Sequence, residues 1–206
     1  MFKKNKGYIL LALLVITGLA SQVTNDTLNN KERKFLVRYL KETKAAFFAS
    51  TEDLSEKQLN FKPASDKRSI KEYIQHQALT ERKVWVIVDS ILKQRQSTEP
   101  KAFLKVEDER LIYAKEDWIH QLSDTEAKMP PNTKWKTTDE AKEAFKKDRT
   151  NVITYVKTTT DNVRTHVAKF PYGQLDAYQL MLIMAVHTQQ HTRQIEGIKN
   201  NPAFPK

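Results

Sequence analysis

The stretch AVHTQQHTRQIEGIKNNP, residues 185–202, decides the predicted fold. It places His187 and His191 four residues apart, a spacing that puts both imidazoles on one face of an α-helix, one turn apart. Two imidazoles placed in this way are close enough to bind one metal ion. The remaining residues of the face are apolar: Leu180, Ile183, Met184, Ile195 and Ile198. The sequence therefore predicts a long last helix whose histidine pair points into the core.

A metal site of this kind needs a third ligand, and His76 is the best candidate. Ser69, with Glu72 three residues later, forms the pattern of a helix-capping box, which predicts a helix from here to about Gln94. His76 lies near the start of that helix, on the stripe expected to face inward. The other residues of this stripe are Tyr73, Thr80, Val84, Ile87 and Ile91. We therefore expect two helices to bring three histidines together.

Length and composition limit the classes of protein to which this chain can belong. The 206 residues suffice for one domain with a sizeable core, and the chain contains no cysteine. Disulfides, thiol nucleophiles and thiolate metal ligands are therefore excluded. The formal net charge of +10 is spread among acidic residues, as in KETK and DEAKEAFKKDR. This mixture is typical of a solvated surface, so we expect no nucleic acid as a partner.

The first 20 residues have the pattern of a secretory signal peptide. Three lysines precede the apolar run ILLALLVITGLA at residues 9–20, and small residues precede a cleavage site between Ala20 and Ser21. The run is shorter than the roughly 20 residues that a membrane-spanning helix needs. We therefore predict a cleaved signal, export to the periplasm or outside the cell, and no stable membrane insertion afterwards. Residues 21–30 are expected to form a polar tether before a domain at 31–206.

The first half of the domain is predicted to contain one more long helix and a long connection. Apolar residues at helical spacing indicate a helix from about Lys31 to Leu54, and Pro63 marks a turn after it. Residues 97–136 have the least regular pattern. We predict that they form a crossover connection carrying one minor helix at about 107–121.

The second half is predicted to contain the other two long helices. Thr138 is expected to cap a helix over 139–167, and FPYG at 170–173 to end it. The last helix is expected to begin near Asp176 and to end near Asn200. No strand is predicted anywhere. The expected fold is therefore all-α, a four-helix bundle with a long crossover connection.

Several of these segments resemble one known family. SIKEYIQHQALTE (69–81) is similar to the second-helix motif of the DinB-like superfamily, and FPYGQLDAYQLMLIMAVHTQQHTRQIEGIKNNPAFP (170–205) is similar to its last-helix motif. VEDERLIYAKED (106–117), DEAKEAF (139–145) and VITYVKTTTDNVRTHV (152–167) also fit, so the resemblance covers nearly all of the expected domain. The His-x3-His segment is its most specific part.

The resemblance implies a four-helix bundle with a divalent metal ion bound by three histidines, here His76, His187 and His191. Relatives with known chemistry include thiol-dependent transferases, such as the bacillithiol transferases, and a maleylpyruvate isomerase. Arg68 stands where family members often have Trp, just before the Ser-Ile of the second-helix motif. The expected export also separates this protein from the thiols that the characterised transferases use.

The ligand types indicate which metal to expect. Three imidazoles without a carboxylate suit Zn, Ni, Cu or Fe better than Mg or Ca, and we expect Zn, Ni or Fe. Three protein ligands leave a coordination position for water or substrate, as in catalytic sites. The alternative is a set of core histidines satisfied by hydrogen bonds, but six buried ring nitrogens would then need partners.

Other polar residues near the histidines are weaker candidates. Thr80 and Gln194, each one helical turn from a histidine, are expected to line the same cavity, where either could orient a substrate or simply pack. Glu81 lies off the predicted stripe and is a weak candidate for supporting a ligand. The remaining histidines are expected at the surface, and the tryptophans are expected to pack: His120, His166, Trp85, Trp118 and Trp135.

The predicted function is that of an exported, divalent-metal-dependent enzyme of the hydrolase or transferase type acting on an unidentified small molecule. No catalytic residue is assigned beyond the metal ligands. The alternative is a non-catalytic bundle that binds a metal ion or a small ligand. Association into a homodimer is left open.

Overall fold

The computed structural model describes residues 28–94, 107–112, 135–170 and 173–206, and most of these residues are helical. The elements, in chain order, are α1 (Asn30–Ser50), α2 (Glu56–Asn60), α3 (Ile70–Leu92), α4 (Asp108–Ile112), α5 (Thr138–Thr158), β1 (Val167–Phe170), β2 (Gly173–Asp176) and α6 (Ala177–Lys199). The four long helices, α1, α3, α5 and α6, form a bundle. The predicted all-α fold is thus confirmed.

A capping box starts each long helix. In each case the side chain of the N-cap residue accepts a hydrogen bond from a backbone N–H of the first turn, and the side chain of the third helical residue accepts one from the N-cap N–H. The pairs are Asn29 and Glu32, Ser69 and Glu72, Thr137 and Glu140, and Asp176 and Gln179. The predicted starts at Ser69 and Asp176 are confirmed, and the third long helix is capped by Thr137, one residue earlier than predicted.

The long helices do not pack in the order in which they follow one another. Helix α1 packs along α5 and α6, and α3 packs along the same two helices. Consecutive long helices, α1 and α3, therefore lie across the diagonal of the bundle, as do α5 and α6. This arrangement puts α3 beside α6, so that the two helices that carry the histidine ligands are neighbours.

The core consists of two apolar clusters separated by polar side chains. Leu40, Val84, Val152 and Val186 belong to one cluster, whereas Phe47, Ala78, Phe145 and Ile195 belong to the other. Every long helix carries at least one buried polar residue at the boundary between the two clusters. We call this set the central polar layer: Thr43, Gln77, Glu81, Arg149, His187, Thr188 and His191.

The region between the last two long helices differs from the prediction. Helix α5 ends at Thr158, and not near residue 167, because Thr159 is extended and its hydroxyl accepts a hydrogen bond from the Asp161 N–H. Residues 167–170 and 173–176 form the antiparallel strand pair of β1 and β2 instead. Gly173 is the first residue of β2 and has a φ of 137°. Glycine adopts such a positive φ readily because it has no Cβ. Strands of four residues are too short to show a clear alternation.

Two other boundaries also differ. Helix α1 ends at Ser50 rather than near Leu54, since the hydroxyls of Ser50 and Thr51 both donate to the Phe47 carbonyl. Leu28, in the segment expected to be a tether, is buried in the core.

Helix α4 falls within the predicted minor helix, whose remainder lies outside the described residues. The expected signal peptide lies outside them too, and none of the described helices has the length and apolar character needed to cross a membrane.

Candidate metal centre

Three histidines meet at the centre of the bundle. His76 comes from the second turn of α3, and His187 and His191 come from successive turns of α6. The Nε2 atom of His187 lies 2.9 Å from that of His191 and 3.3 Å from that of His76. His187 and His191 are buried, whereas His76 is half-buried. The structure therefore brings together the three residues that the spacing had singled out, with one of them reaching towards solvent.

The proton on His191 is fixed by its neighbour. The Nδ1 atom of His191 lies 2.5 Å from Oε1 of Gln194, and an amide oxygen only accepts hydrogen bonds. Nδ1 therefore carries the proton, and the lone pair on Nε2 faces the other two histidines. This is the arrangement in which a histidine binds a metal ion through one nitrogen and is oriented through the other.

The donor set fits a divalent transition metal. Zn–N bonds of 2.0–2.1 Å in a tetrahedral site put two ligand nitrogens about 3.3 Å apart, close to the separation between His76 and His187. Ring nitrogens of all three histidines lie within 4.8 Å of one another. The lone pair of His191 Nε2 faces the Nε2 atoms of the other two histidines, and neutral imidazoles are ligands that suit a divalent transition metal ion.

The wall of the site is aromatic on the side of α3. The ring of Tyr73 lies 5.0 Å from that of His191, measured between centroids. The exposed guanidinium of Arg68 lies 5.9 Å from the Tyr73 ring centroid. His76 follows Tyr73 by one helical turn and is half-buried, so this side of the site is the nearest to solvent.

Beside the histidines lies a buried ion pair. Arg149 donates to both carboxylate oxygens of Glu81, at 2.5 and 2.7 Å, and both side chains are fully buried. Burial raises the pKa of the Glu81 carboxyl above its ordinary value, and the charge of Arg149 opposes this rise. Arg149 also donates to Thr188, the residue after His187. The ion pair thus belongs to the same layer as the metal centre.

Comparison with known families agrees with this arrangement. A model of the DinB superfamily matches residues 39–195. The chain belongs to the DinB superfamily. Among solved structures it is similar to YfiT from Bacillus subtilis, with a TM-score of 0.60 and 11% identity over 87% of this chain and 92% of that chain. YfiT is described as a probable metal-dependent hydrolase with an unusual four-helix bundle topology. None of the curated proteins matches the chain.

Within this DinB fold, the weaker candidates have particular places. Thr80 is buried, and Gln194 is the hydrogen-bond partner of His191. Glu81 was predicted to lie off the inward stripe, and this prediction is wrong. On α3, Glu81 is buried together with Gln77 and Val84, and its charge is tolerated in the core because Arg149 of α5 pairs with it there.

The prediction for His166 is also wrong. It was expected at the surface, but it is buried, and its Nδ1 lies 2.9 Å from the Ile91 carbonyl, to which it donates. The hairpin that follows α5 turns this side chain towards the end of α3. Trp85 packs against Tyr155, and Trp135 lies under Arg82, as expected for packing residues. His120 and Trp118 lie outside the described residues.

Sequence reasoning missed three polar residues of the DinB core: Gln77, Arg149 and Thr188. A signal for Arg149 was present, since it follows Phe145 by one turn and precedes Val152 by three residues on the apolar stripe of α5. A charged residue inside such a stripe indicates a buried partner. Gln77 and Thr188 directly follow His76 and His187, and no local pattern distinguishes them from surface residues.

Proposed function

We propose that His76, His187 and His191 bind one divalent transition metal ion, Zn, Ni or Fe, and that the protein is an exported metal-dependent hydrolase acting on a small molecule. The observation that carries this proposal is the meeting of three imidazoles with their Nε2 atoms 2.9 and 3.3 Å apart. Imidazole nitrogens without a carboxylate favour these metals over Mg or Ca.

The side chains around the site support a catalytic use. Three protein ligands leave room for a substrate or water, and a bound divalent ion would supply Lewis acidity and lower the pKa of water. Gln194 keeps the proton of His191 on Nδ1. His76 is half-buried and is the ligand nearest to solvent, and Tyr73 supplies an aromatic wall. The description of YfiT as a probable metal-dependent hydrolase supports the same reaction class.

A non-catalytic metal- or ligand-binding role is the second candidate. Glu81, a buried acid of the central polar layer, has both oxygens engaged by Arg149 and so offers no general base. In this case the metal would stabilise the bundle or hold a ligand without turnover.

Metal-dependent turnover separates the two candidates. The protein loaded with Zn²⁺, Ni²⁺ or Fe²⁺ is assayed against panels of carboxylic esters, amides and phosphoesters, beside His187→Ala and His166→Gln. Hydrolysis that requires metal, is lost in His187→Ala and persists in His166→Gln supports the hydrolase. Stoichiometric metal binding without turnover of any panel supports the binding protein, and transfer of a group to an added thiol supports a transferase.

The proposal of export rests on the lysines and the apolar run of the first 20 residues. Edman sequencing of protein from the native host is expected to give a mature N-terminus near Ser21. An intact N-terminus on membrane-bound protein would instead show an N-terminal anchor.

A further inference from the structure

One side chain joins all four long helices at the level of the metal centre. Arg149 projects from α5 and donates to Glu81 on α3, to the Leu40 carbonyl and Thr43 hydroxyl on α1, and to the Met184 carbonyl on α6. It is fully buried, and its guanidinium fork reaches all of these acceptors at once. Such a contact fixes the positions of three helices relative to the fourth.

The hydroxyl of Thr188 joins this fork to Gln77, the residue after His76. It donates to the Met184 carbonyl at 2.8 Å and accepts from Arg149 at 2.7 Å and from Gln77 Nε2 at 3.0 Å. One proton and two lone pairs are all that a hydroxyl has, so its hydrogen-bonding capacity is fully used. Gln77 follows His76, and Thr188 follows His187. The Gln77–Thr188 bond therefore links the two helices directly beside their metal ligands.

We propose that Gln77, Glu81, Arg149 and Thr188 are positioning residues that hold α3 and α6 at the register in which His76 meets His187 and His191. This inference rests on the proposed metal binding. Metal–nitrogen distances tolerate changes of only about 0.2 Å, whereas one residue of helix corresponds to about 1.5 Å of rise. Small slips between α3 and α6 thus remove His76 from the site while both helices stay folded.

Gln77→Met tests the link between the two helices. Gln77 Oε1 is buried without a hydrogen-bond partner among the described residues, so Met removes an unsatisfied acceptor together with the bond to Thr188. These two effects on stability oppose each other. We expect the unfolding midpoint of the metal-free protein to change little and the Kd for Zn²⁺ to rise by about tenfold or more. Competition with a chromophoric chelator measures this Kd.

Thr188→Val and Thr43→Val form a matched pair. Both threonines are buried, both donate to a carbonyl four residues earlier, and both accept from Arg149. They differ in that α6 carries two of the histidines, whereas α1 carries none. Thr188→Val is expected to raise the Kd for Zn²⁺ by about tenfold or more, and Thr43→Val to lower stability while leaving the Kd at the wild-type value. Thr188→Ser, which keeps the hydroxyl, is expected to bind as the wild type does.

The outcomes separate this inference from the proposed function. If the wild-type protein binds no Zn²⁺, the proposed metal site is wrong. If it binds Zn²⁺ and both Gln77→Met and Thr188→Val bind it equally tightly, the network is structural and the inference is wrong. The same holds if Thr43→Val weakens binding as much as Thr188→Val does.

Discussion

Gln194 and His191 lie one turn apart on α6, with Oε1 of the amide 2.5 Å from Nδ1 of the imidazole. The amide thereby fixes which nitrogen of His191 faces His76 and His187. Partners of this kind also raise the basicity of a metal-binding imidazole, and more so when they are charged.

Gln194→Met should therefore weaken metal binding by about tenfold to a hundredfold, and Gln194→Glu should preserve or strengthen it. Equilibrium titration with Zn²⁺ against a chelator of known affinity measures both. Equal affinities for the Met and Glu variants would show that this hydrogen bond does not orient the ligand.

Beside the buried pair of Glu81 and Arg149 lies a half-buried ion pair in which α3 supplies the arginine and α5 the carboxylate. Arg82 and Asp148 join the same two helices at 2.9 Å, with both side chains partly exposed. Arg149→Met leaves the Glu81 carboxylate buried without its partner and should lower the free energy of unfolding by about 3–5 kcal/mol. Asp148→Asn should cost at most about 1 kcal/mol.

Urea unfolding of the metal-free proteins gives both values. The double variant Glu81→Leu/Arg149→Met should recover part of the loss, because no unpaired charge then stays in the core. If Arg149→Met and Asp148→Asn lowered the free energy of unfolding equally, the assignment of Glu81 and Arg149 as a buried ion pair would be contradicted.

The start of α3 should contribute stability that depends on pH. The hydrogen bond from Lys62, and then that from the Ser69 N–H, hold the pKa of Glu72 below its ordinary value. The folded pKa is thus lower than the unfolded one, so this contribution is present above the unfolded pKa and is lost as pH falls through the folded value.

Glu72→Gln keeps the capping oxygen and removes the charge. Because the Glu72 side chain is 42% exposed, Glu72→Gln should lower the free energy of unfolding by less than about 1 kcal/mol at pH 7, and the difference from the wild type should shrink towards pH 3. Urea unfolding across this range measures the difference. A gap that grows as the pH falls would reverse the sign argued here.

The sequence sufficed for features that depend on neighbours along the chain. The capping box at Ser69, the helix start near Asp176 and the spacing of His187 and His191 depend on local sequence, and the structure contains each of them. Helical periodicity placed Val84 and Ile195 in the core for the same reason.

Features that depend on a distant partner were not predictable in this way. Glu81 is drawn inward by Arg149, 68 residues later, and periodicity alone assigned it outside the stripe. His166 is buried because a hairpin replaces the end of a predicted helix, and strands of four residues leave little trace in a sequence. The diagonal placement of α1 and α3 was likewise not predictable from the length of the segment that joins them, because it depends on how both helices pack against α5 and α6.

The stabilisation of the folded protein by bound metal should depend on pH. Protons compete with a metal ion for imidazole nitrogens, so metal affinity falls as the pH is lowered. At fixed free Zn²⁺, the difference in Tm between metal-loaded and metal-free protein should be large at pH 7.5 and small at pH 5. A difference that is constant over this range would indicate carboxylate or backbone ligands elsewhere.

The most direct test of the metal centre is the metal content of single-histidine variants, measured by inductively coupled plasma mass spectrometry after exhaustive dialysis. The wild-type protein is predicted to retain one divalent transition metal ion per chain. His187→Ala and His191→Ala should retain none, His76→Ala should retain far less than one, and the buried but distant His166→Gln should keep the full ion. Full metal content in any of the first three variants, or its loss in His166→Gln, would contradict the three-histidine site.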